Sequence, residues 1–183
     1  MIRLVLNDEH LWGVLEEAFA ACRHRLFLAT ADVKDLHLPS PAGRRGGRGA
    51  RRSSRSILDV FQELSDRGVE IHLLHGGVPS GPFLADLKRG RPANLTMRRC
   101  ARMHAKAVIA DGRWMYLGSA NLTGAGLGAK SARRRNFEAG IVTDETALID
   151  PVADMLADVF AGGQCPSCGR KEHCPVPLEE PDL

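Results

Sequence analysis

The residues of this chain best able to do chemistry stand in one string, His104-x-Lys106-x4-Asp111-x6-Gly118-Ser119-x-Asn121. Imidazole is a nucleophile and an acid/base near neutral pH. An ammonium and a carboxamide are donors suited to phosphoryl oxygens. Side chains two apart on a strand share a face, so a strand over His104–Ala110 projects His104 and Lys106 together. Asp111-Gly112 is a strong hairpin signal. A turn there lays Gly118–Asn121 alongside His104 and Lys106. One small patch then holds an imidazole, an ammonium, a hydroxyl and a carboxamide. His-x-Lys alone is the exposed face of many strands; the whole string is far more specific.

With its apolar strands on either side of the turn and the run GSANLT after it, the string resembles the signature of the phospholipase D superfamily. The similarity spans most of residues 9–160, including DRGVEIHLL and NFEAGIV, where Glu138 matches the acid of an Asn-x-Glu. The resemblance implies an α/β fold, a mixed sheet flanked by helices in a phospholipase D-like α-β-α sandwich. It also implies a two-step phosphodiester exchange. One histidine attacks phosphorus to give a phosphohistidine, and a second protonates the leaving oxygen and then activates water. Lysine and asparagine clamp the phosphoryl oxygens, and no cofactor is needed for catalysis. The implied site is His104, Lys106, Ser119 and Asn121, with Asp111 orienting the turn and Glu138 pairing with His104 to fix its tautomer. The mechanism needs two motifs and this chain carries one. His10, His24, His37, His72, His75 and His173 lack the x-Lys-x4-Asp context. A homodimer sharing its active site across a twofold axis is therefore expected, as in small single-motif bacterial endonucleases of the family. The glycine-rich, then basic, run TGAGLGAKSARRR before Glu138 departs from the family pattern and leaves the rim of the site undefined.

Charge points to the substrate. The net charge is only +3, but Arg44, Arg45, Arg48, Arg51, Arg52 and Arg55 lie in one acid-free stretch. Without those six, 19 of the 25 basic residues remain against 22 acidic ones. Such a loop, residues 38–56, binds phosphate backbones by composition. It has no aromatic residue to stack on bases. A nuclease acting on DNA or RNA is the favoured reading. The alternatives are a phospholipase or phosphatidyl transferase, and a non-catalytic nucleic-acid-binding subunit of a defence or repair system. The lipid reading has little to support it: no membrane anchor and few aromatics for an interface.

Five cysteines are present, and three of them, Cys165, Cys168 and Cys174, crowd the C-terminus with His173. C-x2-C is a good tetrahedral half-site, so a structural zinc on these residues is expected, with His173 or a core cysteine completing it. A [4Fe–4S] cluster with Cys22 or Cys100 as fourth ligand is the alternative. The chain divides accordingly into a catalytic domain, 1–162, and a metal-binding tail, 163–183.

The elements that must position these residues read from periodicity. Helices are expected over 9–22, 54–67, 83–88 and 145–160, and strands over 25–31, 69–74, 95–100, 104–110, 114–118 and 136–142. Residues 38–53 read as a flexible loop. Aromatics are 5% of the chain, so the core must be aliphatic. No apolar run spans a membrane and the N-terminus lacks a secretory signal, so a cytoplasmic location without membrane contact is expected.

Overall fold

A computed structural model of the chain describes residues 1–34, 36–39 and 54–181. Among these residues there are nine strands: β1 (Ile2–Leu6), β2 (Arg25–Thr30), β3 (His37–Pro39), β4 (Ser54–Ser56), β5 (Glu70–His75), β6 (Leu95–Arg99), β7 (Lys106–Ala110), β8 (Trp114–Gly118) and β9 (Ala139–Thr143). Four helices accompany them: α1 (Glu17–Ala21), entered through a π-helical turn at Leu11–Glu16, α2 (Ile57–Asp66), α3 (Gly81–Arg89) and α4 (Thr146–Ala161). Seven strands form one mixed sheet in the order β1-β9-β8-β7-β2-β5-β6. β2, β5 and β6 run parallel; β7, β8, β9 and β1 continue antiparallel.

Alternation along the strands feeds two cores. On one face Leu26, Leu28, Ile71, Leu73, Met97 and Val108 pack beneath α1, α2 and α3. On the other Phe27, Leu74, Ile109 and Met115 meet Ile149, Leu156 and Phe160 of α4. The α-β-α sandwich and the aliphatic core are as the sequence indicates.

Several boundaries differ. The sheet gains β1, which periodicity did not reveal. Its apolar residues point the unexpected way: Ile2 and Leu4 are 59% and 60% exposed while Val5 is buried. α2 begins at Ile57, not Ser54, because Ser56 forms a capping box with Asp59. Ser54–Ser56 instead pairs antiparallel with His37–Pro39, a ribbon that brings the two ends of segment 40–53 together. Arg44, Arg45, Arg48, Arg51 and Arg52 of the basic loop lie outside the described residues. β9 starts three residues later than expected, leaving Asn136–Glu138 in a loop. β7 starts at Lys106, so His104 lies before the strand rather than on it.

Candidate active site

The site is assembled on one rung of the sheet. Gly140, Gly118 and Lys106 are paired in register across β9, β8 and β7. Thr30, His75 and Arg99 are paired across β2, β5 and β6. Ala107 opposite Ala29 joins the two sets by placing Lys106 beside Thr30. Partners on one rung face the same side, so this row lies at the edge of the face packed by α1, α2 and α3.

His104 hangs over the row from a turn. Met103 N–H donates to the Cys100 carbonyl at 2.8 Å, and the Cys100 N–H donates to His75 O at 2.8 Å. The Met103 carbonyl sits where a Cβ on Gly76 would be, so only glycine admits the turn. His104 is exposed and Lys106 is buried. The expected strand alternation does not bring them together. Lys106 reaches back instead, its Nζ 2.7 Å from His104 O, 3.1 Å from Nδ1 and 3.2 Å from Nε2. An ammonium is thereby held against the imidazole.

Asn121 arrives from the far strand of the hairpin. Its Oδ1 accepts from Ala31 N–H at 3.1 Å, Asp32 N–H at 3.2 Å and Thr30 Oγ at 3.2 Å. With the oxygen so committed, the side chain is left to present its NH2, a donor. Thr30 Oγ also accepts from Leu122 N–H at 3.0 Å, which ties the turn after Gly118 to the end of β2. Beneath the turn lies Tyr116, whose ring crosses Gly118 and Gly140 so that its hydroxyl accepts from Ala120 N–H at 3.3 Å. Burial pushes that phenol up to about 12, so it stays protonated.

Ser119 and Glu138 meet, but not as expected. Ser119 Oγ donates to Glu138, and Asn136 Nδ2 donates to the other Glu138 oxygen at 3.0 Å. Glu138 therefore holds the serine of the turn, and the expected pairing of Glu138 with His104 is absent within the chain. Asp111 stands at the opposite end of β7. Its carboxylate accepts from the N–H groups of Arg23, His24 and Arg25, each at 2.8 Å. Burial pushes this carboxyl up, but the three N–H groups outweigh burial and hold it below the usual carboxylate range. Asp111 with φ +53° and Gly112 with φ +65° make the hairpin turn. Through these bonds Asp111 ties the hairpin turn to the start of β2.

His75 shares the rung but not the surface. It is 1% exposed, Nδ1 lies 2.8 Å from Gly77 O, and burial holds the imidazole below its ordinary value. It cannot meet a substrate at His104. Thr30, Tyr116, Gly76 and Gly140 escaped the sequence reading, because their work is to hold the motif and their partners are distant in sequence.

Of the basic residues, Arg55 is described. Its Nη1 lies 2.7 Å from both Glu63 oxygens, so its charge is already matched and it is a poor substrate contact. Arg135 is 2.9 Å from Asp8. In the tail, Cys165, Cys168 and Cys174 line a cleft of about 620 Å³ that also contains His104 and Cys100. His173 is turned out of that cleft toward Glu172, at 3.1 Å. Cys22 is no ligand for the tail: it is fully buried beside Asp111, and burial pushes its thiol up to about 12. Among the described residues, no three His, Cys, Asp or Glu side chains are gathered closely enough to hold a metal ion.

Comparison with known proteins shows a family and similar folds. Residues 50–160 match the family described as "Cardiolipin synthase, PLD-like domain". No curated protein matches. Among solved structures, NucT from Helicobacter pylori superposes with TM-score 0.60 at 14% identity, over 86% of this chain and 94% of that one. The phospholipase D family member Nuc from Salmonella typhimurium gives TM-score 0.61 at 14% identity, over 86% and 92%. The archaeal chromatin protein TrmBL2, whose structure is described as showing a novel mode of DNA binding, gives 0.51 at 13% identity, over 86% and 50%.

Proposed function

The chain belongs to the phospholipase D-like family, whose chemistry is phosphodiester exchange, and on that footing we propose that it is a nuclease acting through a phosphohistidine in a site shared by two copies. The observation that carries the reading is the exposed His104 imidazole, with the Lys106 ammonium 3.1 Å away. His104 attacks phosphorus in line and displaces the sugar oxygen. His104 of the partner subunit gives that oxygen its proton, then takes one from water. The water oxygen attacks the phosphohistidine and frees the nitrogen. Lys106 and the Asn121 NH2 meet the charge that builds on the phosphoryl oxygens.

The need for a second copy rests on counting. His75, the nearest alternative on the rung, is buried. Apolar surface supports a neighbour close by: Phe137, next to Glu138, is 95% exposed, and Leu6, paired with Ala139, is 42% exposed. Nucleic acid is favoured over lipid by the acid-free arginine stretch and by Arg133 and Arg134, both exposed and shortly before Glu138 in the chain. No helix among the described residues is long and apolar enough to cross a membrane.

Phosphatidyl transfer on the same residues is the second reading, favoured by the family description alone. The deciding experiment incubates the protein in EDTA with labelled single- and double-stranded DNA and RNA, and in parallel with phosphatidylglycerol vesicles. Acid-labile, alkali-stable label on His104 from a nucleic acid supports the proposal. Turnover of the lipid alone, or undiminished cleavage by His104→Ala, overturns it.

A further inference from the structure

From residue 163 to residue 177 every side chain is exposed except three, and those three are Cys165, Cys168 and Cys174. A run of fifteen residues that buries no apolar side chain gains nothing to offset the entropy of ordering it. Yet its three half-buried residues all face the cleft of about 620 Å³. The opposite wall carries a fourth cysteine, Cys100, also half-buried. No carboxylate lines this cleft, whereas Arg99, Arg102, Arg170 and Lys171 do.

The local backbone is already shaped for ligation. Cys168 N–H donates to Cys165 O at 3.2 Å, which closes the Cys165–Cys168 stretch into a turn. The N–H of Arg170 donates to Cys168 Sγ at 3.5 Å. All five cysteines are free of disulfides.

We propose that Cys100, Cys165, Cys168 and Cys174 ligate one zinc ion, which pins the tail over the turn that carries His104. The tail supplies three ligands and the end of β6 supplies the fourth. His173 drops out, since it faces Glu172 outside the cleft. As placed, the thiols line the cleft without closing on a point. Closing them asks the tail, a segment that no packed side chain restrains, to draw in toward Cys100. Each thiol loses its proton on ligation, and a four-thiolate zinc carries a charge of about −2, which Arg102, Arg170 and Lys171 around the cleft would offset, Arg99 being already paired with Glu179. Because the Cys100 carbonyl accepts from Met103 N–H, the ion would stiffen the turn leading to His104.

The test is made on the full chain, purified under reducing conditions without chelators. Elemental analysis should find one zinc per chain and no iron. Cys100→Ser, Cys165→Ser, Cys168→Ser and Cys174→Ser should each lose most of it, and His173→Ala should keep it. The unmodified chain loaded with cobalt should show the strong sulfur-to-cobalt absorption of a tetrathiolate, a reading that needs no variant to fold. Zinc retained by Cys100→Ser, or lost from His173→Ala, overturns the ligand set. Iron with sulfide, or reactive thiols at Cys100 and all three tail positions with no metal, overturns the site. These readouts are independent of cleavage, so they stand whether or not the nuclease reading does.

Discussion

Replacing Asp111 by alanine should unfold the protein more readily without touching its chemistry. The carboxylate accepts from three backbone N–H groups, those of Arg23, His24 and Arg25, each at 2.8 Å. Hydrogen bonds to a charged group contribute about 1.5–3 kcal/mol each, but water can reach this half-exposed site and replace part of them. The net loss should be about 2–4 kcal/mol. For a chain of 183 residues this lowers Tm by roughly 5–15 °C. The loss should depend on pH. The folded carboxyl sits below its ordinary range, so the unfolded chain takes up the proton first. The stabilisation is complete above the usual carboxylate pKa and fades as pH falls through the lowered folded value. Thermal denaturation of both proteins from pH 7 to pH 3 should show the gap in Tm closing toward acid. Cleavage per folded molecule should stay near that of the parent, since Asp111 lies a strand's length from Lys106. A gap that is negligible at pH 7 or constant with pH would refute the reasoning. So would loss of turnover in Asp111→Ala below its melting transition.

Lys106→Ala should reduce kcat by about 10²–10³-fold, the cost of removing one donor to the developing charge, while single-turnover assays show binding little changed. Asn121→Ala strands the Ala31 and Asp32 N–H groups that its Oδ1 accepts, so it should lower Tm by roughly 3–10 °C as well as slow cleavage. Changing Arg44, Arg45, Arg48, Arg51 and Arg52 to serine should flatten the slope of log affinity against log salt for duplex DNA, by about 4 units if all five contact phosphates; an unchanged slope removes the loop from the interface. Mixing His104→Ala chains with unmodified chains, once subunit exchange is demonstrated, should cut activity roughly as the square of the unmodified fraction, and a linear fall would show that each chain works alone.

The sequence by itself determined the layered α/β fold, the residues of the motif and the hairpin that folds the motif back on itself. Period-2 and period-3.6 patterns report which face of an element is buried. Asp111-Gly112 reports a turn through its own backbone preferences. These are local signals. β1 escaped because its outward residues, Ile2 and Leu4, are apolar where an edge strand with one covered face is ordinarily polar. The geometry of the site was a tertiary decision. His104 meets Lys106 through a turn seated on Gly76, not through strand alternation. Asn121 is aimed by the end of β2, ninety residues earlier in the chain. Glu138 holds Ser119 rather than His104. Which cysteine faces the tail was equally hidden, since Cys22 and Cys100 look alike in sequence. Only the packing buries one beside Asp111 and opens the other to the cleft. Spacing along a chain fixes what neighbours can share, whereas partners far apart in sequence are chosen by how the sheet and its covering layers close.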